Sequence, residues 1–532
     1  MTLARGVAEM ANRRIPGDRG DGGCGMALWQ MVLLARLTGM RHLLWLMAAL
    51  CLSSITASAA TLSFTVNTSE PVVVTGTPRI AIDVGGVTRY ATYASGSGSS
   101  ALTFGYAVQA GDFDANGITL VSPVDLNGGS ISDVAGNPAS SLSLTLPDTA
   151  SVKVQTYTAA FTTSPITNSN ATSVGFAIAK APVGASFSYT ITSSGGSGSV
   201  TGSGTIASSS SHAVLGVNVA NLASGTLTLS VTVSTTAGGT GAAKTATATP
   251  TFTGTLDGVP TAAVFSVRRL RNAYSGSLLR PLLRVRRSSD NTEQDISATV
   301  AGNLDTTTLT SFCGSASCYV NVWYDQTGAG RDAVQTTTGE QPRIVNAGVV
   351  DTQSGLPAIY FDGTSYNLES ATPFTTSYSL SVVASRSAST ASATNNRRLL
   401  NVGGRTKDAY GVLGTYNGAY ETWAGNGAWN DTWPNTPTVN VPANTLVTMA
   451  VTNGSNVLTP YINGASQNTR NGATQTVSGL NIGGLLTYGG YYYYAQLWDG
   501  RVSEVIVYYN TALSASSVQS LQANQKTYYG TP

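Results

Sequence analysis

The chain has 532 residues, of which 10% are charged and 58 are glycine, and its formal net charge is +2. A soluble globular protein usually has about 25% charged residues and about 7% glycine. This composition disfavours helices and favours short strands joined by turns, so it excludes helical bundles, coiled coils, Rossmann-type enzymes and, without a strong positive field, nucleic-acid binders.

Residues 1–60 are predicted to be an N-terminal extension with a secretory signal peptide. A basic start at Arg41 is followed by an apolar run and by Ala57-Ser58-Ala59, which is the small-residue pattern of a cleavage site. The apolar run is shorter than the roughly 20 residues that a membrane span needs. We therefore expect a mature chain without a transmembrane segment, secreted to the extracellular space or the cell surface.

Residues 61–150 alternate apolar and polar side chains between turn signals such as Gly85-Gly86, a pattern typical of a β-sandwich. Two stretches, Ser69–Pro78 and Gln109–Ile118, resemble a bacterial Ig-like repeat found in large surface proteins. The resemblance covers nearly the whole segment and implies a first Ig-like domain.

A possible calcium site lies in this segment, where Asp112, Asp114 and Asn116 have the spacing of oxygen ligands and precede Gly117. An EF-hand loop needs a glutamate at its twelfth position, but Pro123 stands there. The sequence therefore favours a polar turn over a calcium site, and it predicts no cofactor.

Residues 151–258 are lower in complexity, and they are predicted to form a second Ig-like domain or spacer. Alternating runs such as Phe187–Ile191 and Leu227–Val233 are typical of strands. His212 is the one histidine after the signal segment, and we expect it to lie in a surface loop. No other histidine then remains for a Ser-His-Asp triad.

Residues 259–532 are long enough for one large all-β domain. Ala512–Gln525 is predicted to be its one short helix, with Ser514 as the N-cap and with Val518 and Leu521 on the apolar stripe. Alternating runs predict the strands, among them Tyr319–Tyr324, Ala358–Phe361, Tyr378–Ala384 and Val502–Tyr509.

Cys313 and Cys318 are the two cysteines that remain after the signal segment. In an exported chain such a close pair suggests a disulfide that closes a small loop. Two reduced thiols are the alternative, and there are too few ligands nearby for a zinc site.

The last domain resembles two related families. Motifs of the first, the concanavalin-A-like or laminin-G-like jelly roll of bacterial surface proteins, are Ile359–Gly363, Pro460–Gly464 and Asp499–Tyr508. Residues 262–335 resemble the second, the catalytic domain of α-L-arabinofuranosidase B, through Arg284–Asp290, Phe312–Cys318 and Trp323–Ala333. The chain is therefore expected to be all-β, with two Ig-like β-sandwiches followed by a concanavalin-A-like jelly-roll sandwich.

The resemblance implies retaining glycoside hydrolysis, which needs two carboxyl groups about 5–5.5 Å apart. In this family the nucleophile would lie on the strand around Val412–Asn417, where no acid is found, and the acid/base would stand at Leu485. Substitutes outside these positions are Glu421, Asp431, Asp499 and Glu504, and Glu504 can equally be a structural residue. Without the paired carboxylates the sequence favours a non-catalytic relative, with Glu421 and Glu504 as candidates if it is active.

A carbohydrate-binding site is predicted in the Gly- and Asn-rich stretch from Tyr420 to Trp433. Sugar rings stack on aromatic planes, and polar side chains bind their hydroxyls. Core packing is the alternative role for the tryptophans. The predicted binding residues are Tyr420, Trp423, Trp429, Asp431 and Trp433.

Seven arginines lie between Arg268 and Arg287, and partners such as Asp290, Glu293 and Asp295 explain them better than a polyanion does. Three hypotheses follow for the whole protein. The first is an exported surface protein that binds polysaccharide, with arabinose in the polymer, and does not bind nucleic acid. The second is an active α-L-arabinofuranosidase, and the third is a structural adhesion module without a sugar ligand.

Overall fold

The computed structural model describes residues 60–143, 148–272, 280–374, 376–388, 397–402, 410–416, 419–421, 439–440, 442–467, 469–471, 477–485 and 496–531. Strands dominate these residues. The helices among them are α1 (Thr306–Cys313), α2 (Ala515–Tyr529) and a 3-10 turn at Thr338–Glu340. The predicted all-β fold class is confirmed.

The predicted signal peptide lies outside the described residues. By its internal contacts the chain divides into residues 1–62 and residues 63–532, and the boundaries predicted near residues 150 and 258 stay predictions. Across the described residues, every helix is too short or too polar to cross a membrane.

The first group of strands forms a six-stranded sheet in the order β6-β2-β3-β4-β1-β7. Alternate side chains of β2, from Ile80 to Val84, are buried, as the alternating pattern predicts. The strands are β1 (Thr61–Thr75), β2 (Arg79–Val84), β3 (Val87–Ser95), β4 (Ser99–Ala107), β5 (Phe113–Asp114), β6 (Thr119–Asp125) and β7 (Ser130–Asp133). The long β1 joins β4 to β7, which it pairs through Val72–Thr75, so six of these seven strands form one continuous sheet, and β5 pairs instead with Val154–Gln155.

The second group forms two sheets, in the orders β13-β10-β9 and β12-β11-β14-β15, with β16 also paired to β14. Its core includes Phe176, Ile191 and Leu229, each with no exposed surface. The strands are β8 (Val154–Gln155), β9 (Thr158–Phe161), β10 (Val174–Ala179), β11 (Ser186–Ser193), β12 (Ser199–Thr205), β13 (His212–Val217), β14 (Leu227–Thr235), β15 (Gly239–Thr240) and β16 (Lys244–Ala248). His212 lies at the start of β13 and not in a loop, so that expectation is corrected.

The remaining strands build the C-terminal part of the chain, and apart from the β24-β25 hairpin their pairings close on themselves. They are β17 (Ala263–Ser266), β18 (Pro281–Arg287), β19 (Glu293–Ser297), β20 (Cys318–Trp323), β21 (Ala333–Val334), β22 (Arg343–Asn346), β23 (Val349–Val350), β24 (Thr352–Gln353), β25 (Leu356–Pro357), β26 (Ile359–Asp362), β27 (Leu368–Phe374), β28 (Tyr378–Arg386), β29 (Arg397–Val402), β30 (Tyr410–Tyr416), β31 (Ala419–Glu421), β32 (Val439–Asn440), β33 (Val447–Gly454), β34 (Val457–Ile462), β35 (Ala465–Ser466), β36 (Arg470–Asn471), β37 (Val477–Ile482), β38 (Gly484–Leu485), β39 (Gln496–Leu497) and β40 (Asp499–Tyr509).

Two layers of these strands enclose one apolar core. The first layer runs β17-β40-β28-β33-β34, and the second runs β27-β37-β29-β30-β31-β32. Val382 and Val505 of the first layer and Leu400 and Leu480 of the second belong to this core and have no exposed surface. Each layer therefore has one apolar face and one outward face, and the outward faces carry the polar side chains.

Helix α2 packs on the outward face of the first layer. Ser514 caps it, because its side-chain oxygen accepts a hydrogen bond from the Ser517 amide at 3.2 Å, and the helix ends at Gly530 in the left-handed region with φ 66°. Val518 is buried and Leu521 is half-buried. The predicted helix is confirmed.

Helix α1 was not expected from its threonine-rich sequence, which has low helix propensity. The Asp305 side chain accepts a hydrogen bond from the Thr308 amide at 3.0 Å and so caps its first turn. The helix ends at Cys313, which is disulfide-bonded to Cys318 at the start of β20. The predicted disulfide is confirmed, and it ties α1 to the sheet.

Candidate functional site

The second layer presents a row of polar residues on its outward face. Glu369 of β27 pairs with Asn481 of β37, and Asn481 pairs with Asn401 of β29. Residues paired in this way point to the same face, with Cβ atoms about 4.5–5.5 Å apart. Their strand neighbours Leu368 and Leu480 point into the core, so the three polar side chains lie on the opposite face, and we call them the amide row.

The amide row is buried although it faces away from the core. Asn401 and Asn481 have no exposed surface, and Glu369 is half-buried. The side-chain oxygen of Asn481, Oδ1, accepts a hydrogen bond from the Gly484 amide at 3.1 Å. Within the described residues, both polar atoms of the Asn401 side chain and the nitrogen of the Asn481 side chain make no hydrogen bond.

Unsatisfied buried amides are unfavourable, since each such group loses about 1–3 kcal/mol of hydrogen bonding to water. Three polar atoms of this kind in one row therefore require an explanation. They provide two donors and one acceptor on neighbouring strands, beside the carboxylate of Glu369. This set matches a ligand that carries several hydroxyl groups.

Two of the residues predicted from the sequence lie in the same layer. Tyr420 pairs in backbone register with Thr415, and Glu421 pairs with Gly414. The other predicted binding residues, Trp423, Trp429, Asp431 and Trp433, lie outside the described residues. The predicted aromatic site therefore stays a prediction, apart from the placement of its first residue at a strand near the edge of the layer.

Glu421 and Glu369 are not a close pair. Four strand spacings separate β31 from β27 in the order of the layer, which is about 19 Å across a sheet. A retaining glycosidase needs its carboxyl groups at about 5–5.5 Å. These two glutamates do not meet that requirement.

Glu504, the other candidate for catalysis, lies in the first layer and has no exposed surface. It accepts hydrogen bonds from Arg268 Nε at 2.9 Å, Ser266 Oγ at 3.0 Å and Gln525 Nε2 at 3.1 Å. Gln525 belongs to helix α2, so the carboxylate is enclosed between β40 and that helix. Donors of the protein itself already satisfy the carboxylate, so the geometry supports the structural role.

The electrostatics around Glu504 are those of a buried ion pair. Burial lowers the pKa of Arg268, but Glu504, Tyr529 and Tyr528 together raise it, and the net result lies above its ordinary value. The guanidinium also lies over the ring of Tyr528 at 4.3 Å. Burial raises the pKa of Tyr528 to about 12. The Arg268 guanidinium therefore stays charged at neutral pH.

The other residues singled out from the sequence have structural partners. Asp499 is the first residue of β40 and pairs in backbone register with Asp362. Arg284 forms an ion pair with Asp295, and Arg287 forms one with Asp290. The expected carboxylate partners of the arginine run are thus present, except for Glu293, for which the described ion pairs give no role.

The possible calcium ligands are used by the protein itself. Asp112 accepts a hydrogen bond from Arg89 Nε at 2.9 Å, and Asp114 accepts one from the Gly117 amide at 2.9 Å. The Asn116 side chain donates to the carbonyl of Ala237 at 3.1 Å. No group of three acidic, histidine or cysteine side chains that could hold a metal occurs in the described residues. The geometry is that of a polar turn.

Sequence reasoning missed the amide row, although a signal was available. Asn401 follows Leu399 and Leu400 and precedes Val402, and Asn481 stands between Leu480 and Ile482. The side chain of an asparagine inside a run of strand-forming apolar residues is buried with them or points to the opposite face of the sheet. If it is buried, it needs a polar partner. Their meeting on adjacent strands depends on strand order, which the local pattern does not contain.

A family model agrees with the sequence resemblance over part of the chain. Residues 255–367 match the model described as alpha-L-arabinofuranosidase B, catalytic. This segment includes α1, the disulfide, the strands from β17 to β26 and Arg268, the partner of Glu504. It resembles the arabinofuranosidase B catalytic domain over this partial segment.

Curated relatives match a shorter stretch. A probable alpha-L-arabinofuranosidase B of Aspergillus flavus is 37% identical over 84 residues, and an alpha-L-arabinofuranosidase B of Emericella nidulans is 36% identical over 84 residues. Each match covers 15% of this chain and 16% of the relative. The chain thus spans about a sixth of the length of these relatives.

Solved structures are more distant. A GH54 α-L-arabinofuranosidase soaked with a cyclic sulfate inhibitor is 18% identical with a TM-score of 0.35, and the match covers 50% of this chain and 62% of that one. A mutant Trypanosoma rangeli sialidase is 17% identical with a TM-score of 0.28, covering 39% of this chain and 31% of that one.

Proposed function

We propose that this protein is an exported carbohydrate-binding protein whose C-terminal sandwich binds an arabinose-containing polysaccharide on the outward face of its second layer. The amide row carries the proposal. Asn401 and Asn481 keep three polar side-chain atoms buried and without a hydrogen bond in the described residues. Sugar hydroxyl groups both donate and accept hydrogen bonds, so an arabinosyl unit can satisfy these three atoms.

The same site supports binding better than hydrolysis. Hydrolysis with retention requires a nucleophile and an acid/base on opposite sides of the sugar. Strand β30 has the sequence from Tyr410 to Tyr416 without an acid, and Leu485 occupies the other family position. Glu421 and Glu369 lie about 19 Å apart by strand spacing, and Glu504 is enclosed in the other layer.

Export is supported by the signal-like sequence of residues 41–59. The disulfide between Cys313 and Cys318 is of the kind that persists in oxidising compartments. In this arrangement the two preceding β-rich segments act as spacers that carry the C-terminal sandwich away from the cell surface. Secretion into a growth medium and cleavage after Ala59, read by N-terminal sequencing, test this part.

The binding test compares Asn401→Ala with the full-length mature protein in calorimetric titrations with arabino-oligosaccharides. We expect the variant to bind at least about tenfold more weakly. A factor of ten in affinity corresponds to about 1.4 kcal/mol, which is near the contribution of one hydrogen bond to the ligand. Its stability should change little, because the Asn401 amide makes no hydrogen bond in the described residues. Unchanged affinity in a folded Asn401→Ala protein would disprove the role of the amide row.

Asn321→Ala is the matched control. Asn321 of β20 is buried and its side-chain oxygen also makes no hydrogen bond within the described residues, but it does not belong to the second layer. We expect it to bind arabino-oligosaccharides like the unaltered protein. An equal loss of affinity in both variants would point to a general loosening of the domain.

Retaining hydrolysis of arabinofuranosides is the second candidate function. The match of residues 255–367 to the arabinofuranosidase B catalytic model favours it, with Glu421 in the second layer as the candidate carboxylate. The test is turnover of a p-nitrophenyl arabinofuranoside. Turnover that is abolished by Glu421→Gln supports the hydrolase, whereas binding without turnover supports the first proposal.

A further inference from the structure

Five residues on neighbouring strands alternate between arginine and tyrosine. Arg286 pairs with Tyr319, Tyr319 pairs with Arg343, Arg343 pairs with Tyr360, and Tyr360 pairs with Arg501. The residues lie on β18, β20, β22, β26 and β40, in that spatial order. Since paired residues share a face, they form one continuous line, which we call the arginine–tyrosine row.

The row lies on the face turned away from the core. The neighbours Val320, Ile359 and Val502 are core residues without exposed surface, so Tyr319, Tyr360 and Arg501 point to the other side. The row crosses four strand spacings, which is about 19 Å. None of its five residues belongs to the amide row.

The arginines pack against the tyrosine rings. The guanidinium of Arg286 lies 5.2 Å from the centre of the Tyr319 ring, and those of Arg343 and Arg501 lie 4.7 and 5.5 Å from that of Tyr360. Such contacts stabilise a cation on an aromatic face. They also cover faces of the tyrosine rings, and the Tyr319 ring lies in addition 6.1 Å from the centre of the Tyr366 ring.

The row carries more positive charge than its ion pairs neutralise. Arg343 binds Asp351 with both Nε at 2.8 Å and Nη2 at 3.1 Å, whereas Arg501 reaches the same carboxylate only at 3.9 Å. Arg286 donates to neutral oxygens of Gln341, Asn291 and Thr338. Two guanidinium groups thus share the Asp351 carboxylate, and the third, that of Arg286, has neutral oxygen partners.

A donor of the row has no partner in the part of the chain that the structure describes. The Nε atom of Arg501 is buried and makes no hydrogen bond in the described residues, while the side chain as a whole is 26% exposed. An unpartnered donor of β40 therefore lies beside the other arginines of the row.

Two acids limit where an anion can lie. Asp362 and Asp499 follow one step further along β26 and β40, where they pair in register with each other. Asp362 accepts hydrogen bonds from the amides of Thr364 at 2.9 Å and Ser365 at 2.8 Å, so it holds the turn after β26. These two acids repel a bound anion, which is therefore expected on the side of the row away from them, where Asp351 is already held by Nε and Nη2 of Arg343.

We propose that the arginine–tyrosine row binds the carboxylates of an acidic polysaccharide, with uronic acid units lying along it. Arginine is the side chain best suited to carboxylates because of its planar set of donors, and the tyrosine hydroxyls suit the ring hydroxyls of the sugar. A nucleic acid fits less well. Bases need free aromatic faces, which the guanidiniums cover here, and phosphate backbones need a larger basic surface.

The test uses the mature full-length protein and oligogalacturonate as the probe, at low and at high salt. We expect saturable binding that weakens with salt and is lost when the carboxylates are methyl-esterified. Arg501→Gln should lower the affinity at least about tenfold, which is the loss of roughly one charge-assisted hydrogen bond. Tyr360→Phe keeps the ring and its contacts with both arginines, so we expect a smaller loss from the missing hydroxyl.

Arg79→Gln is the matched control, because Arg79 lies over the Tyr90 ring at 4.0 Å and pairs with Asp125, outside the row. It should bind oligogalacturonate like the unaltered protein. The proposal is overturned by absence of binding, by equal binding of the methyl ester or of a single-stranded oligonucleotide, or by unchanged affinity in both Arg501→Gln and Tyr360→Phe. Loss of arabino-oligosaccharide binding in Asn401→Ala with oligogalacturonate binding kept would separate the two sites.

Discussion

Replacing Glu504 tests whether this carboxylate is structural. Its side chain has no exposed surface, and its partner Arg268 is 7% exposed, with 2.9 Å between Nε and Oε2. Removing one member of a buried pair leaves the other charge buried alone, which destabilises by about 3–5 kcal/mol. We expect Glu504→Ala to lower the free energy of unfolding of the C-terminal part by this amount.

Glu504→Gln refines the magnitude. Its amide oxygen can still accept from Arg268 or Ser266, so it loses the charge but not the shape, and we expect about 2 kcal/mol, near the worth of a hydrogen bond to a charged group. Gln525 donates to the same carboxylate from α2 at 3.1 Å. The helix should therefore loosen first, and limited proteolysis after residue 509 should become faster.

Asp295→Asn provides the comparison, because the Arg284–Asp295 pair has both side chains 41% exposed. An exposed pair contributes about 0–1 kcal/mol, so denaturant unfolding of this variant should nearly match that of the unaltered protein. Our interpretation of Glu504 fails if Glu504→Ala unfolds within about 0.5 kcal/mol of Asp295→Asn. Turnover of an arabinofuranoside that Glu504→Gln abolishes without loss of stability would also contradict it.

Two further predictions concern the disulfide and the buried tyrosines. Cys313→Ser with Cys318→Ser opens a loop with a sequence separation of 5, and for so short a loop we expect a loss of about 2 kcal/mol in denaturant unfolding; a double variant as stable as the oxidised protein would contradict this. Burial raises the pKa of Tyr528 and of Tyr106 to about 12, so the folded state favours the neutral phenols. The contribution of these tyrosines to the free energy of unfolding is complete below about pH 10 and declines as the pH rises toward about 12. The unfolding midpoints at about pH 9 and about pH 11 should therefore differ less in Tyr528→Phe than in the unaltered protein.

The local sequence predicted much of the fold because strands and helix ends leave short-range signals. Ser514 caps α2, and the strand Val502–Tyr509 lies inside β40, since capping and period-two alternation act over a few residues. Helix α1 was missed because Asp305 and the disulfide stabilise a threonine-rich turn whose intrinsic propensity is low. Tertiary context overrode propensity there.

The candidate sites could be predicted only in part, since they depend on strand order. Glu421 is a candidate carboxylate from the sequence, but its separation from Glu369 becomes visible only when β27, β37, β29, β30 and β31 are placed side by side. Asn401 and Asn481 are 80 positions apart in the sequence and adjacent in the sheet. No local period relates them.

The placement of the two polar rows also bears on how the protein would act on a polymer. The amide row lies on the second layer, and the arginine–tyrosine row ends at Arg501 on β40 of the first layer. Each row runs across its strands, so each follows the hydrogen-bonding direction of its sheet. A branched polysaccharide with neutral arabinose side chains on an acidic backbone offers ligands for both surfaces, and linked binding at two weak sites raises the overall affinity by the effective concentration of the second contact. Glycans that carry both kinds of sugar should therefore bind more tightly than either oligosaccharide alone. A single variant in either row should reduce the affinity for such a glycan to that of the remaining site.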